Sequence, residues 1–311
     1  TRIGWYSSSV TRGTNDAAVE ETDDESKGRS DGGWNEATPF PFIQGTDCCG
    51  RIVDVGSSEL QSRIGDRVMV RPCMRTRGFD FVDNVWLGSD FDGAFAQFVK
   101  VPASEAFKVD SDWSDVELGS IPCAYGTAEN LIHHARVGEG DDVLVTGASG
   151  GVGSAAVQLA KRRGARVIAV SGRAKADKVR EIGADTVVLR GEDPAEAVEP
   201  KSVDVVIDVV GGTFFPNAFD LLAPGGRYAT SGAVGGPSVS LDLRTLYLRD
   251  ITMYGATAWE EPVFPNLISY IEKGEIHPLV AKSYPLEDIV VAQKELLRRQ
   301  HVGKLVLVPP A

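Results

Sequence analysis

Four closely spaced glycines follow a short apolar run near the middle of the chain. The run Val143–Val145 leads into Gly147, Gly150, Gly151 and Gly153, and a helical pattern comes next. Glycine permits a tight turn and lets a ligand approach the backbone, and the start of the helix offers free N–H groups to an anion. The spacing therefore suits the pyrophosphate of a dinucleotide, which is held between a strand, a turn and a helix.

A second group of polar residues follows the next apolar run. Val167–Val170 leads into the sequence Ser171-Gly-Arg173-Ala-Lys175. A site for NAD usually carries Asp or Glu at this point, where the carboxylate binds the ribose hydroxyls. A hydroxyl and two cations suit the additional 2′-phosphate of NADP instead, so we expect the cofactor NADP(H).

Each signal has a simpler reading. The glycines could only turn the chain, and basic residues after a strand could form a solvated surface. The agreement in order of strand, turn, helix, second strand and basic turn favours the dinucleotide site.

Periodicity predicts the elements that position these residues. From Trp113 onward helices and strands alternate, which predicts a doubly wound parallel α/β sheet. Residues 40–109 are instead typical of an all-β domain. The predicted strands cover 50–55, 67–70, 95–100, 142–147, 166–171, 186–189, 203–209, 226–230, 251–254 and 304–308, and the later helices cover 152–163, 174–182, 214–222, 265–273 and 286–299.

Length and charge limit the classes of function. The 311 residues are enough for two domains, each with a core. The net charge of −12 disfavours nucleic acid and anionic membranes as partners, because both select basic surfaces. No apolar run approaches the length of a membrane span and no leader opens the chain, so we expect a cytoplasmic protein. Because the first residue is Thr, we also expect residues to be missing from the N-terminus.

The cysteines and histidines do not have the spacing of a structural metal site. No two cysteines form a C-x-x-C pair, which disfavours a structural zinc lobe and indicates reduced thiols. His133 and His134 are adjacent in a predicted helix and point in different directions. The four cysteines are Cys48, Cys49, Cys73 and Cys123.

Seven sequence blocks together resemble the medium-chain dehydrogenase/reductase superfamily, on its quinone oxidoreductase-like, zinc-independent side. They are PFIQGTDCCGRIVDVG (Pro41–Gly56), GDRVMV (Gly65–Val70), DGAFAQFVKVP (Asp92–Pro102), CAYGTAENLI (Cys123–Ile132), TGASGGVGS (Thr146–Ser154), VVG (Val209–Gly211) and GKLVL (Gly303–Leu307). Their order and spacing carry the resemblance through nearly the whole chain.

The resemblance implies a domain organisation. Residues 1–113 would form part of a GroES-like β-barrel catalytic domain that is incomplete at its N-terminus. Residues 114–260 would form a Rossmann domain that binds NADP, and residues 261–311 a C-terminal segment whose last strand returns to the catalytic domain. Relatives are commonly dimers or tetramers, so we expect a homo-oligomer.

The resemblance also implies the residues of the cofactor site. Gly150, Gly151 and Val152 would meet the pyrophosphate, and Ser171, Arg173 and Lys175 the 2′-phosphate. Val209, Val210 and Gly211 would flank the adenosine half, while Thr127, Ser231 and Gly232 would lie near the nicotinamide half.

The resemblance also bears on whether the protein binds a zinc ion. Zinc-dependent members of the superfamily carry Gly-His-Glu where this chain has Gly45-Thr46-Asp47, so threonine replaces a principal ligand. Cys123 stands where those relatives often have a ligand, although a small buried residue is the simpler interpretation. We expect no metal.

These features together predict an enzyme and leave two alternatives open. The predicted activity is NADPH-dependent hydride transfer, without metal, to a small-molecule acceptor that is a quinone or an α,β-unsaturated carbonyl. Tyr6 and Tyr125 are the candidate proton donors, and each could equally be a core or rim aromatic. The alternatives are a zinc-dependent alcohol dehydrogenase-type enzyme and a non-catalytic NADP-binding sensor or structural protein.

Overall fold

The computed structural model describes Asn35 and residues 41–310, which divide into two compact units. The first contains the described residues up to Cys123, together with Lys282–Leu297 and the residues from Leu305 onward. The second contains Ala124–Ala281 and Arg298–Lys304. Arg298–Lys304 thus belongs to the second unit, although the residues directly before and after it belong to the first.

The first unit is built mainly from short antiparallel strands. A three-stranded sheet has the order β1 (Cys49–Arg51), β2 (Arg67–Val70), β5 (Ala106–Lys108), and a hairpin is formed by β3 (Cys73–Arg75) and β4 (Asn84–Trp86). Val70, Met74 and Leu87 form the centre of its core.

A buried ion pair lies beside the sheet of the first unit. Arg71 donates to Glu105 over 2.6 Å, and both side chains are about one-twelfth exposed. Because each charge is paired, neither is left alone in the apolar interior.

The predicted strand at residues 95–100 is wrong. The backbone N–H groups of Gly93, Ala94 and Phe95 donate to the carbonyls of residues 43–45 over 2.7–2.8 Å. That partner segment is not extended, since Gly45 has φ +109°. The ladder therefore does not continue, and the chain beyond Phe95 bends. The predicted strand at 50–55 is also shorter than expected and ends at Arg51.

The second unit contains a six-stranded sheet in which all neighbouring strands are parallel. Its strands are β6 (Asp142–Val145), β7 (Arg166–Ser171), β8 (Thr186–Leu189), β9 (Val203–Asp208), β10 (Leu222–Thr230) and β11 (Thr252–Gly255), in the order β11-β10-β9-β6-β7-β8. The order reverses between β6 and β9, which makes this the point where such sheets bind ligands. The predicted doubly wound fold is confirmed.

Amphipathic helices connect these strands. The helices of the described chain are α1 (Asp115–Gly119), α2 (Pro122–His134), α3 (Gly151–Arg162), α4 (Ala176–Glu181), α5 (Phe215–Leu221), α6 (Leu243–Leu248), α7 (Val263–Glu272) and α8 (Ile289–Arg298). In α3 the residues from Gly153 to Val157 are all buried, and most are small. Small side chains let the helix lie close to the sheet, which brings its first turn to the carboxyl ends of the strands.

A buried charge pair joins three helices of the second unit. Glu129 of α2 is fully buried, and Arg163, just beyond α3, donates to its Oε1 over 2.5 Å. Tyr270 of α7 donates to the same oxygen over 3.2 Å. Burial raises the pKa of Glu129, and the nearby Arg163 opposes that rise.

The last strands form a separate pair, β12 (Val280–Pro285) with β13 (Lys304–Val308). Within the described residues, no helix is both long and apolar enough to cross a membrane.

Candidate cofactor-binding site

The glycine turn joins β6 to α3, and two of its glycines have conformations or neighbours that exclude other residues. Gly147 has φ +59°, and its carbonyl accepts from the Gly150 N–H over 2.9 Å. A Cβ on Gly153 would lie 2.2 Å from that same Gly147 carbonyl oxygen. A side chain at 153 would therefore push the helix away from the turn.

The N-terminus of α3 is free to bind an anion. Gly150 is the N-cap and is exposed, and it has no side chain to bond the first N–H groups of the helix. Gly151 and Val152 form the beginning of the first turn and are half-buried. Unbonded N–H groups and the positive end of the helix dipole suit a phosphate. The glycine turn thus fits the pyrophosphate predicted for it.

The three residues predicted for the 2′-phosphate have different surroundings. Ser171 ends β7 and is 1% exposed, and its hydroxyl faces the Gly172 carbonyl at 3.4 Å. The Arg173 side chain is 80% exposed and pairs with Glu192 over 2.8 Å. Lys175 is half-buried, and its Nζ donates to the Arg299 carbonyl over 2.7 Å. Lys175 is thus the more buried of the two cations, and a backbone carbonyl holds its ammonium group.

Arg190 was not among the predicted site residues, and its backbone lies beside Ser171. Burial lowers the pKa of Lys175, and the positive charge of Arg190 lowers it further. The Arg190 N–H donates to the Ser171 carbonyl over 2.8 Å, because it follows β8, the neighbour of β7. The signal was present in the sequence, since residues that follow adjacent parallel strands lie at the same edge of the sheet.

Lys304 was assigned only to a strand, and its side chain runs past the start of α3. A Cβ on Gly151 would lie 3.1 Å from the Lys304 Cδ. The neighbouring Gly303 donates its N–H to the Ser149 carbonyl over 3.3 Å, which ties this segment to the glycine turn. Gly303 has φ +86°, a conformation that favours glycine.

The predicted loop Val209–Gly211 lies on the other side of the strand-order reversal. The Val210 carbonyl accepts from the Gly235 N–H over 2.7 Å, so this loop packs against the one that follows β10. Gly211 and Gly212 both have φ +60°. A Cβ on Gly212 would lie 2.3 Å from the Gly235 carbonyl oxygen, which excludes a side chain there.

Ser231 and Gly232 follow β10 at the same edge of the sheet. The Ser231 Oγ is buried and has no hydrogen-bond partner among the described residues. A buried hydroxyl without a partner is costly unless a ligand bonds it, so this atom fits a cofactor that carries polar groups. Thr127, which the resemblance places near the nicotinamide half, lies inside α2 and is half-buried.

The surroundings of Tyr125 give it a structural role. It is 1% exposed, and its hydroxyl donates to the His277 carbonyl over 2.5 Å and accepts from Gln158 over 3.0 Å. Burial raises its pKa. A hydroxyl that is enclosed and bonded in this way is a poor proton donor to a substrate, so this geometry gives the predicted role no support. The other candidate, Tyr6, lies outside the described residues.

The Gly45-Thr46-Asp47 stretch contributes a helix cap. Asp47 Oδ1 accepts from the Cys123 N–H over 2.6 Å, at the start of α2. Thr46 is buried. Burial, followed by the charge of Asp47, raises the pKa of Cys48 to about 11. Within the part of the chain that the structure describes, no group of three or more His, Cys, Asp and Glu side chains could hold a metal ion.

Comparison with known proteins identifies the family. Residues 13–111 match the family model described as alcohol dehydrogenase GroES-like domain, and residues 151–273 match the one described as zinc-binding dehydrogenase. Acryloyl-coenzyme A reductase of Metallosphaera sedula is 31% identical over 288 residues, which cover 88% of this chain and 86% of that protein. The chain belongs to the medium-chain dehydrogenase/reductase superfamily. It is therefore an oxidoreductase with a GroES-like and a Rossmann-like part, as predicted.

Two further members of the superfamily show its range. Quinone oxidoreductase of Rattus norvegicus is 27% identical over 291 residues, covering 89% of this chain and 83% of that protein. A solved structure from Sinorhizobium meliloti 1021, provisionally described as an alcohol dehydrogenase, is 45% identical with a TM-score of 0.84 and covers 88% of this chain and 77% of that one. Members of the superfamily bind a nicotinamide cofactor, and the residues around the glycine turn fit such a group.

Proposed function

We propose that the protein is an NADPH-dependent reductase that transfers hydride, without a metal, to a quinone or an α,β-unsaturated carbonyl. The observation that carries the choice of cofactor is the pair of cations that follow β7 and β8. Arg190 directly follows β8 with its N–H bonded to the Ser171 carbonyl, Lys175 lies in the turn after β7, and Ser171 stands where a carboxylate would select NAD. Two cations attract the 2′-phosphate, and no carboxylate at that position repels it.

In this proposal the second unit binds the cofactor along one edge of its sheet. The α3 N-terminus and Lys304 hold the pyrophosphate, and Lys175 and Arg190 hold the 2′-phosphate. The Ser231 hydroxyl gains the partner it lacks from the nicotinamide half. Arg173 contributes less, because it is exposed and already paired with Glu192.

The proposed acceptor follows from the residue at position 46. When bound, the reduced cofactor supplies the hydride. A quinone or enone spreads the resulting negative charge over a conjugated system, so a Lewis acid is not needed. Thr46 in place of a histidine supports this reading. The names of the acryloyl-coenzyme A and quinone reductases among the relatives support it as well.

The second candidate is a metal-dependent alcohol dehydrogenase. It is favoured by the description of the Sinorhizobium relative and by that of the family model over residues 151–273. We also propose a homo-oligomer, which the solution mass of the purified protein would test.

A cofactor-and-acceptor screen with metal analysis distinguishes these functions. We expect NADPH oxidation with a quinone or a 2-enoyl thioester, undiminished by a chelator, in protein that holds no stoichiometric zinc. One tightly bound zinc per chain, with activity on alcohols that a chelator removes, would establish the second candidate instead. NADPH binding without reduction of any acceptor would favour a sensor or structural protein.

A further inference from the structure

Asp208, at the carboxyl end of β9, is a buried carboxylate that was not among the predicted site residues. It is 1% exposed, and its two oxygens accept hydrogen bonds from four groups. The Thr146 hydroxyl donates to Oδ1 over 2.5 Å and the Val210 N–H over 2.8 Å. The Gly211 N–H donates to Oδ1 and Oδ2 over 3.1 and 3.2 Å, and the Tyr228 hydroxyl donates to Oδ2.

These bonds join the two loops on either side of the strand-order reversal. Thr146 directly follows β6 and precedes the glycine turn, whereas Val210 and Gly211 belong to the loop after β9. The Thr146 hydroxyl also accepts from the Val209 N–H over 3.1 Å. One carboxylate therefore sets the distance and orientation between two loops, both of which border the candidate cofactor site.

The bonds are of a kind that fixes backbone firmly. Hydrogen bonds to an ionised carboxylate are about twice as strong as those between neutral groups. Burying a carboxylate has a large desolvation penalty, which is tolerable only when its acceptor sites are filled. The four neutral donors fill them, so each donor is held where the carboxylate requires it.

We propose that Asp208 is the positioning residue of the dinucleotide site. It holds the backbone of Val209–Gly211 against the glycine turn in the conformation that receives the cofactor, and it does so without touching the cofactor. This inference rests on the proposed function only in requiring that the second unit binds a nicotinamide dinucleotide. Because Asp208 holds the loop against the glycine turn, which faces the pyrophosphate that NADPH and NADH share, removing its carboxylate weakens both cofactors equally.

The test compares Asp208→Asn with a control at the other end of the same strand. Asp204 of β9 accepts from the Asp142 N–H over 2.8 Å, far from the glycine turn along the strand. We expect Asp208→Asn to raise the Kd and KM of both dinucleotides by about tenfold or more, the loss of one charge-assisted bond, and to change kcat less. Asp204→Asn should change neither Kd by more than about twofold.

Hydrogen–deuterium exchange tests whether Asp208 holds the loop backbone when no cofactor is bound. Peptides that cover residues 205–214 should exchange faster in Asp208→Asn than in the wild type or in Asp204→Asn, because a neutral amide oxygen accepts more weakly from the two loop N–H groups than a carboxylate does. If Asp208→Asn does not fold, Thr146→Val and Thr146→Ser serve instead. The first removes the hydroxyl that links the loops, and the second keeps it and should restore cofactor affinity.

The outcomes separate the two claims. Equal cofactor affinity in Asp208→Asn and wild type would overturn the positioning role, even if exchange is faster. So would a loss of affinity in Asp204→Asn as large as that in Asp208→Asn, since general destabilisation would then explain both. If the wild-type protein binds neither NADPH nor NADH, the proposed function fails and the positioning role falls with it.

Discussion

Replacing Lys175 by alanine should weaken NADPH and leave NADH almost unchanged. The two cofactors differ only in the 2′-phosphate, and Lys175 is the half-buried cation at the end of β7. Its Nζ uses one of three donors on the Arg299 carbonyl, which leaves two for a phosphate. The carbonyl also holds the ammonium in place before the cofactor arrives, so little side-chain freedom is lost on binding.

The expected magnitude follows from these contacts. A hydrogen bond to a charged group contributes about 1.5–3 kcal/mol, so Lys175→Ala should raise the Kd of NADPH by about 10- to 150-fold. Arg173→Ala should be weaker, at about 0.2–1 kcal/mol, because the Arg173 side chain is 80% exposed and paired with Glu192.

The assay is fluorescence titration of each variant with NADPH and with NADH. Lys178 provides a matched control: it lies one turn further along, is exposed, and pairs with Glu181 over 2.8 Å. Lys178→Ala should leave both affinities within about twofold of wild type. A similar loss of NADH affinity in Lys175→Ala, or equal affinity of the wild type for both cofactors, would refute the reasoning.

The pH dependence of NADPH affinity provides a second test of Lys175. Burial, followed by the charge of Arg190, lowers the pKa of Lys175. Only the protonated amine attracts the phosphate, so this contribution is present below that pKa and is lost as the pH rises through it. NADPH affinity should therefore fall at a lower pH than an ordinary lysine would give, while NADH affinity stays flat. Lys175→Arg should abolish the fall.

Three further substitutions test the site and its support. Gly153→Ala should abolish cofactor binding, measured by titration, because its Cβ would lie 2.2 Å from a turn carbonyl; at Gly138 nothing lies within 4 Å, so Gly138→Ala should bind normally. Arg163→Met leaves a buried glutamate unpaired and should lower the free energy of unfolding by about 3–5 kcal/mol in denaturant titrations. Arg162→Met breaks a more exposed pair with Glu275 and a contact of the guanidinium with the Tyr270 ring. It should cost only about 1–2 kcal/mol, and equal losses would contradict the assignment. Tyr125→Phe should cost about 1 kcal/mol of stability and leave kcat and its pH profile unchanged; a large drop in kcat would restore Tyr125 as a proton donor.

The parallel sheet was predictable because its strands have strong local signals. The predicted bounds of 166–171 and 186–189 agree with β7 and β8 of this sheet. Such strands are buried on both faces and have continuous apolar runs, which glycine turns and helices separate. The first unit offered weaker signals. Strands β1 to β5 are three or four residues long, and the segment after Phe95 has the composition of a strand but no partner of matching geometry among the described residues.

Within the candidate site, too, some residues could be predicted from the sequence and others could not. The glycine turn and Lys175 could be proposed as site residues from the sequence, because glycine spacing and basic residues after a strand are patterns among residues close in sequence. Arg190 and Asp208 were not predicted because their partners lie in other parts of the chain. The Arg190 N–H bonds the Ser171 carbonyl, 19 residues earlier, and the Asp208 carboxylate accepts from the Thr146 hydroxyl, 62 residues earlier. The role of Tyr125 as a proton donor stays a prediction, and its surroundings could not be read from the sequence, since its hydroxyl bonds a carbonyl 152 residues further along.

The sequence by itself determined the family, the alternation of strands and helices in the parallel sheet, and the glycine turn between β6 and α3, because periodicity and glycine placement act over a few residues. Only the tertiary structure decided which polar groups have partners. It buried Ser171 and Tyr125, brought Arg190 beside Ser171, and set Asp208 between two loops. Hydrogen bonding and desolvation depend on every group within a few ångströms, and folding brings those groups together from distant parts of the chain.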